Sequence, residues 1–263
     1  MTRTEAGGEG DKKSLPAGIR VVPNHSNEII RGETALVRRD RAIEADILQV
    51  VSGNVGISGV KDVRLWVDGG VAHLRGFVQN ESEQFLLRRL VGMVRGVHAV
   101  WDLLERPGRR PLNVLDIGCG TYKQSQQSVG VDRFIYPPVD VVTDLETSLP
   151  FGSNTIDHIF AVHVLEHINE LVSLMNEIHR VLRHDGVLHV MVPYWHHAVA
   201  VADPTHVRFF VPQSFKLFCQ RTPFISPFRP LTVSCNSDTV FADLIPDKEG
   251  AGADDDEIVR HFL

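Results

Sequence analysis

The sequence predicts an α/β protein in which a doubly wound, mostly parallel sheet follows a small α+β domain, and three observations carry that expectation. Short, nearly all-apolar segments recur between Leu112 and Val192 with loop or helical sequence between them. That is the pattern of parallel strands covered on both faces. Ahead of them, Asp68-Gly69-Gly70 joins two strand-like runs that are flanked by amphipathic stretches. Between the two regions, "RPGRRP" at 106–111 punctuates the chain with prolines and arginines and reads as a linker.

The elements follow in order. Residues 1–37 are rich in Gly, Glu, Lys and Ser with little periodicity and are expected to lack structure. From Asp40, the spacing of Ile43, Ile47, Val50 and Val51 predicts a helix. Strands are expected over 63–67 and 71–76, a second helix over 81–94 with Leu87, Leu90, Val91 and Val94 inward, and a closing strand over 96–104. After the linker come strands at 112–117, 129–131, 139–143, 156–162 and 187–192. A helix precedes the last of these, with Leu171, Leu174, Met175, Ile178 and Leu182 as its stripe and Asp185-Gly186 as its stop. Two final strands, 228–235 and 239–245, complete a sheet of seven strands or slightly fewer. The expected division is an unstructured segment 1–37, an α+β domain 38–106, the large domain 107–245 and an acidic tail 246–263, read as a solvated, disordered end.

Of the 263 residues, 43% are hydrophobic and 23% charged, enough to bury a core. The net charge is -6, and the tail from Pro246 holds six acids against two bases. The body is therefore near neutral, which argues against a nucleic-acid footprint. Cys119, Cys219 and Cys235 form no CxxC pair, which favours a reducing compartment. There is no apolar leader and no long apolar run, so a cytoplasmic location is expected without a transmembrane segment.

The chemistry concentrates in "VLDIGCGTYKQSQQSVGVD" at 114–132. A parallel sheet binds its ligand outside the carboxyl ends of its strands, where strand order reverses, and Gly118 and Gly120 fall at such an end. The stretch is not a phosphate loop, because Tyr122-Lys123-Gln124 follows in place of a Gly-Lys-Ser/Thr ending. A third glycine of a dinucleotide fingerprint is also missing, since Lys123 occupies that position. Asp132, ending the second strand, is placed to grip vicinal ribose hydroxyls. Asp144 follows the third strand, where an acid can lie beside an adenine amino group.

Taken in order, "LDIGCG", "DLETSLPF", "VLEH" and "RVLRHDG" resemble a class I S-adenosylmethionine-dependent methyltransferase of the type 11-like group, over roughly 112–218. The resemblance implies a Rossmann-like methyltransferase sheet with S-adenosylmethionine as cofactor. By position, Asp116, Ile117, Gly118, Cys119 and Gly120 hold the methionine end, Asp132 the ribose with Arg133 beside it either touching the cofactor or solvated, and Asp144 and Leu145 the adenine, while Ala161, Val162 and His163 line the sulfonium end. Only 16 residues separate Asp116 from Asp132, so the intervening helix is expected to shrink to a turn or two. The αββαβ unit over 40–105, with "VDGGVAHLRG" and "VRGVHAV", resembles the BON domain. That implies a module binding a lipid or protein partner, with a generic dimerisation or scaffold module as the alternative.

The implied activity is methyl transfer to an O, N or C nucleophile of an unidentified acceptor, a small molecule, saccharide or lipid intermediate foremost. His163, His197 and His206 are the candidate acid–base residues, with Asp203 as an orienter. "YWHHAVAVADPTHVRFF" at 194–210 places most of these beyond the fifth strand, with Tyr194 and Trp195 as a substrate wall or as core. The plainer alternative is that His206 and Arg208 fix this loop through backbone carbonyls. "HVLEH" at 163–167 also matches H-x-x-E-H, a zinc-protease signature that needs both histidines on one helix face. Because a strand runs straight into His163, no metal is expected. A noncatalytic cofactor-binding or scaffold protein with a degenerate methyltransferase domain is the alternative function.

Overall fold

A computed structural model of the chain describes residues 18–23, 34–52, 54–57 and 60–262. Most of the segment 1–37, expected to lack structure, lies outside the described residues, but Ile19–Val21 within it forms strand β1. The chain divides into two compact units: residues up to Gly96 with Asp102–Gly108, and Val97–Trp101 with Arg109 onward.

In the first unit, β1 runs parallel to β2 (Lys61–Asp68), which pairs antiparallel with β3 (Val71–Phe77). Gly69 and Gly70 take φ of +59° and +85°, as a tight hairpin turn between right-twisted strands requires. Helix α1 (Ala35–Ser52) starts earlier than predicted and buries Ile43, Ile47 and Val51 on one stripe. Asp40, on that stripe, accepts hydrogen bonds from the Gly69 and Gly70 amides at 2.9 and 3.2 Å, so the helix clasps the hairpin turn. Helix α2 (Glu81–Gly92) begins at Asn80, whose side chain accepts from the Glu83 amide. The Glu83 carboxylate accepts from the Gln79 amide in return. Strand β4 (Ala99–Glu105) ends the four-stranded sheet, ordered β1-β2-β3-β4.

The second unit holds a seven-stranded sheet. Its strands are β5 (Val114–Ile117), β6 (Val129–Asp132), β7 (Val141–Val142), β8 (Ile156–Val162), β9 (Leu182–Pro193), β10 (Phe228–Cys235) and β11 (Thr239–Pro246). The order is β10-β11-β9-β8-β5-β6-β7, with β11 antiparallel to both neighbours and the other pairs parallel. Strand order reverses between β5 and β8, which places the ligand crevice at their carboxyl ends. Helix α3 (Leu171–Val181) buries Leu174, Met175 and Ile178 against one sheet face. It stops one residue before Leu182, which belongs to β9 rather than to the helical stripe.

Two expectations need correction. No helix follows Gly120, because residues 121–128 are turns and bends, and the connections 133–140 and 143–155 are likewise without helix. "QSQQ" offers no apolar stripe to bury, so nothing drives a helix there. The acidic end is also not a solvated tail. Residues 246–254 are tied down, with the Ala253 amide donating to the Cys219 carbonyl, and helix α5 (Asp255–Phe262) buries Ile258 and Phe262 in the core. Its acids sit in the first turn, where the helix dipole favours them.

Candidate functional site

A cavity of about 550 Å³ opens at the carboxyl ends of β5, β6 and β8, a size typical of small-molecule sites. Its floor is the turn after β5. Gly118 and Gly120 both take positive φ, +64° and +53°, a region open to glycine and strained for other residues. A Cβ at Gly118 would approach Val164 to 2.3 Å, so this glycine lets the turn pack beneath Val164. A Cβ at Gly120 would meet nothing within 4 Å, and its bare backbone lines the cavity.

Asp132 holds this turn. One carboxylate oxygen accepts from the Gly120 amide and the other from the Phe134 amide, each at 2.9 Å. Each oxygen keeps a further lone pair, and the residue lines the cavity. Arg133 lays its guanidinium over the Phe134 ring, 5.3 Å from the centroid, and both residues line the same wall with Tyr136. Asp144 and Leu145 line the adjoining wall, and the Asp144 side chain accepts from the Glu146 amide.

The far end is built from the segment after β8. His163 sits at φ +53°, its amide donating to the Met191 carbonyl at 2.8 Å. A histidine in this region is strained, which is common where function fixes a side chain. The half-exposed ring lines the cavity, and its Nδ1 lies 3.4 Å from Glu166 Oε1. Residues 165–167 form a single 3₁₀ turn. His163 therefore shares no helix face with His167, as the strand reading implied.

The predicted site residues separate into two sets. Gly118, Gly120, Asp132, Arg133, Asp144, Leu145 and His163 converge on the cavity. Asp116, Ile117, Cys119, Ala161 and Val162 are not among its lining residues. Ile117 and Ala161 are fully buried in the apolar core. Asp116 instead accepts from the Gln124 amide and so pins the loop from behind, and burial pushes its carboxyl up to about 7. Cys119 packs beside Gly130, and burial, reinforced by Asp116 and Asp132, pushes its thiol up to about 11, which suits a filler rather than a nucleophile. Lys123 is spent on the Ser128 carbonyl and the Asp140 carboxylate.

Neither His197 nor His206 lines the cavity. His197 caps helix α4 (Ala198–Ala202) through its side chain, which accepts from the Val199 amide. His206 is turned to the Ala200 carbonyl, and Arg208 donates to the Ile168 and Asn169 carbonyls, so both fix the loop as the plainer alternative supposed. Tyr194 packs against the core and Trp195 is exposed, and neither forms a cavity wall. Sequence reasoning missed Phe134, Tyr136, His167, Thr205 and Val207 as lining residues. The signal for the first two was their position just past the acid of β6. For Thr205 and Val207 it was a loop whose folding back no local pattern announces.

Residues 115–190 match the family model of a methyltransferase domain, and residues 39–107 match that of the BON domain. Among solved structures, the chain is similar to the YcgJ protein of Bacillus subtilis at 15% identity, covering 52% of this chain and 92% of that one, with a TM-score of 0.39. It is similar to a SAM-dependent methyltransferase from Aquifex aeolicus at 17% identity, over 51% and 82% of the two chains, with a TM-score of 0.39. For a SAM-dependent methyltransferase from Archaeoglobus fulgidus the values are 21% identity, 40% and 57% coverage and a TM-score of 0.33. No curated protein matches.

Proposed function

We propose that this chain, a class I S-adenosylmethionine-dependent methyltransferase domain preceded by a BON domain, methylates an O, N or C nucleophile of a small-molecule, saccharide or lipid acceptor. The observation that carries the reading is the pairing of Asp132 with the glycine turn. An acid at the end of the second strand holds the open backbone of Gly120 and faces the same cavity.

The residues present fit the cofactor. The free lone pairs of Asp132 suit two ribose hydroxyls, and charge-assisted bonds of this kind are the strong ones. Phe134 and Leu145 line the cavity as apolar groups and Asp144 as a polar one, a lining suited to an adenine ring. The bare backbone at Gly120 admits the methionine end.

When bound, the cofactor supplies a methyl carbon made electrophilic by its sulfonium sulfur. The chain's own work is alignment, which in general accounts for roughly 7–11 kcal/mol of such a barrier. His163, held at the rim of the cavity, receives the proton of the acceptor through the ring nitrogen not turned to Glu166. A positioned base of this kind contributes about 10²–10⁴-fold. We place the protein in the cytoplasm, which fits its three unpaired cysteines, and no helix of the described residues is long and apolar enough to cross a membrane. The BON domain, with Phe85 and Met93 exposed, is read as the part that engages a lipid or protein partner.

A noncatalytic reading draws on one observation, the missing helix after Gly120, which removes a helix amino terminus from the methionine end. One experiment tests both readings: calorimetric titration with S-adenosylmethionine and S-adenosylhomocysteine, then radiolabelled methyl transfer to acceptor pools. Wild-type binding, weakened about 10–100-fold in Asp132→Asn, supports the cofactor site. A methylated product excludes the noncatalytic reading, and absence of binding by folded protein overturns the cofactor assignment.

A further inference from the structure

Glu166 is the least satisfied acid among the described residues. Its side chain is 2% exposed, yet neither carboxylate oxygen has a hydrogen-bond partner, and His163 Nδ1 lies 3.4 Å from Oε1. Burying a carboxylate without partners is costly, so a group that satisfies it is favoured there. Two further side chains meet it. One potential ligand atom each from Glu166, His167 and His206 lies within 4.8 Å of the other two.

Both imidazoles are oriented as ligands would be. His167 Nδ1 lies 3.2 Å from the Thr205 carbonyl and 3.0 Å from the Thr205 hydroxyl, whose own proton goes to Asp203 at 2.6 Å. His206 Nδ1 lies 2.9 Å from the Ala200 carbonyl. A carbonyl only accepts, so each Nδ1 donates, which leaves Nε2 of the neutral ring as the ligand atom; that of His206 lies 3.8 Å from Asp203 Oδ2. Metal-bound histidines are characteristically held this way, with the other ring nitrogen donating to a carbonyl or carboxylate. The two ring centroids are 4.8 Å apart at 66°, an edge arrangement rather than a stack.

We infer that Glu166, His167 and His206 form a binding site for a divalent first-row transition metal, with zinc as the reference ion. Two imidazoles and one carboxylate are a donor set such ions accept, and three protein ligands leave positions open for a further oxygen. Bonds of about 2.1 Å bring tetrahedral donors to about 3.4 Å from one another, so binding draws the three side chains together. His167 lines the cavity, as do Thr205 and Val207 on either side of His206, so the three ligands stand beside it. There the ion would hold an oxygen of the acceptor and favour its deprotonated form. That last role rests on the methyltransferase reading, whereas metal binding itself does not.

The test is a titration of the chelator-stripped chain with zinc chloride, read by calorimetry and by competition with a chromophoric chelator. One equivalent per chain is expected, with affinity falling at least about 100-fold in Glu166→Gln and in His206→Ala. Cobalt(II) should give a visible ligand-field band in the wild type that zinc displaces, a readout independent of any variant. Binding of S-adenosylhomocysteine is measured in parallel, and each variant is expected to retain it. No stoichiometric zinc in the wild type, or folded variants that bind it undiminished, overturns the site. Zinc binding without cofactor binding would sink the methyltransferase reading and leave the metal site standing.

Discussion

The two halves of the seven-stranded sheet share one apolar core, which takes in Leu115, Ile117 and Val131, but their connections are held by different forces. On the side of β9, β10 and β11, large apolar side chains do the holding: Phe215, Phe228, Ile178 and Met175 are each fully buried in one cluster with α3. On the side of β5, β6 and β7, the three connections lack helices, and aspartates organise the backbone instead. Asp116 holds the Gln124 amide, Asp132 the Gly120 and Phe134 amides, Asp140 the Gly130 amide, and Asp144 the Glu146 amide. A packed helix gives stability that is indifferent to pH. A carboxylate at a strand end gives a backbone shaped for a ligand, and makes that shape depend on protonation.

The sharpest way to break this comparison is to damage the apolar half and ask whether the site half notices. Phe215→Ala removes a fully buried ring and should cost about 3–5 kcal/mol, read as a lower thermal midpoint. The fraction that stays folded should bind S-adenosylhomocysteine with unchanged affinity. A loss of affinity matching the loss of stability would mean that the two halves are one unit.

The site half should respond to pH through Asp116. Burial raises its carboxyl from 3.8 to about 7. The folded chain therefore takes up a proton that the unfolded chain does not. The stabilisation is fully present below pH 3.8 and is lost as pH rises through about 7. Asp116→Asn keeps an oxygen for the Gln124 amide and removes the titration. The variant should gain on the wild type across that window, by on the order of 2–4 kcal/mol. Thermal unfolding from acid to neutral pH reads it directly, and parallel curves for the two proteins would refute the assignment.

What the sequence made legible follows the same division. The strands of the large sheet and the stripe Leu171, Leu174, Met175 and Ile178 were readable, because burial on a regular element leaves a period in the chain. The cavity floor at Gly118, Gly120 and Asp132 was readable because glycines and a strand-end acid are few and their places in an α/β sheet are constrained. The acid–base set was not. His163, His197 and His206 look alike as letters, and only the folding of 194–210 turns two of them toward backbone groups. Glu166 and His206, 40 residues apart, meet for the same nonlocal reason.

The acidic end was misread for a local reason, and its correction yields the smallest effect. Composition suggested solvation, but Asp254 and Glu257 carry a capping pattern that composition hides. The Asp254 side chain accepts from the Glu257 amide at 2.8 Å, and the Glu257 carboxylate accepts from the Asp254 amide at 3.1 Å. The reciprocal pair starts α5, which brings Ile258 and Phe262 onto the core. Glu257 also meets Arg229 of β10, but that pair is largely exposed on the arginine side and adds little. Asp254→Ala should therefore cost about 1 kcal/mol, and Arg229→Gln less. Hydrogen exchange would show where the loss falls. It should be confined to the α5 amides, leaving the Gly118–Gly120 turn as protected as before. Faster exchange in that turn would join the carboxyl-terminal helix to the site half, and the division of forces within the sheet would have to be redrawn.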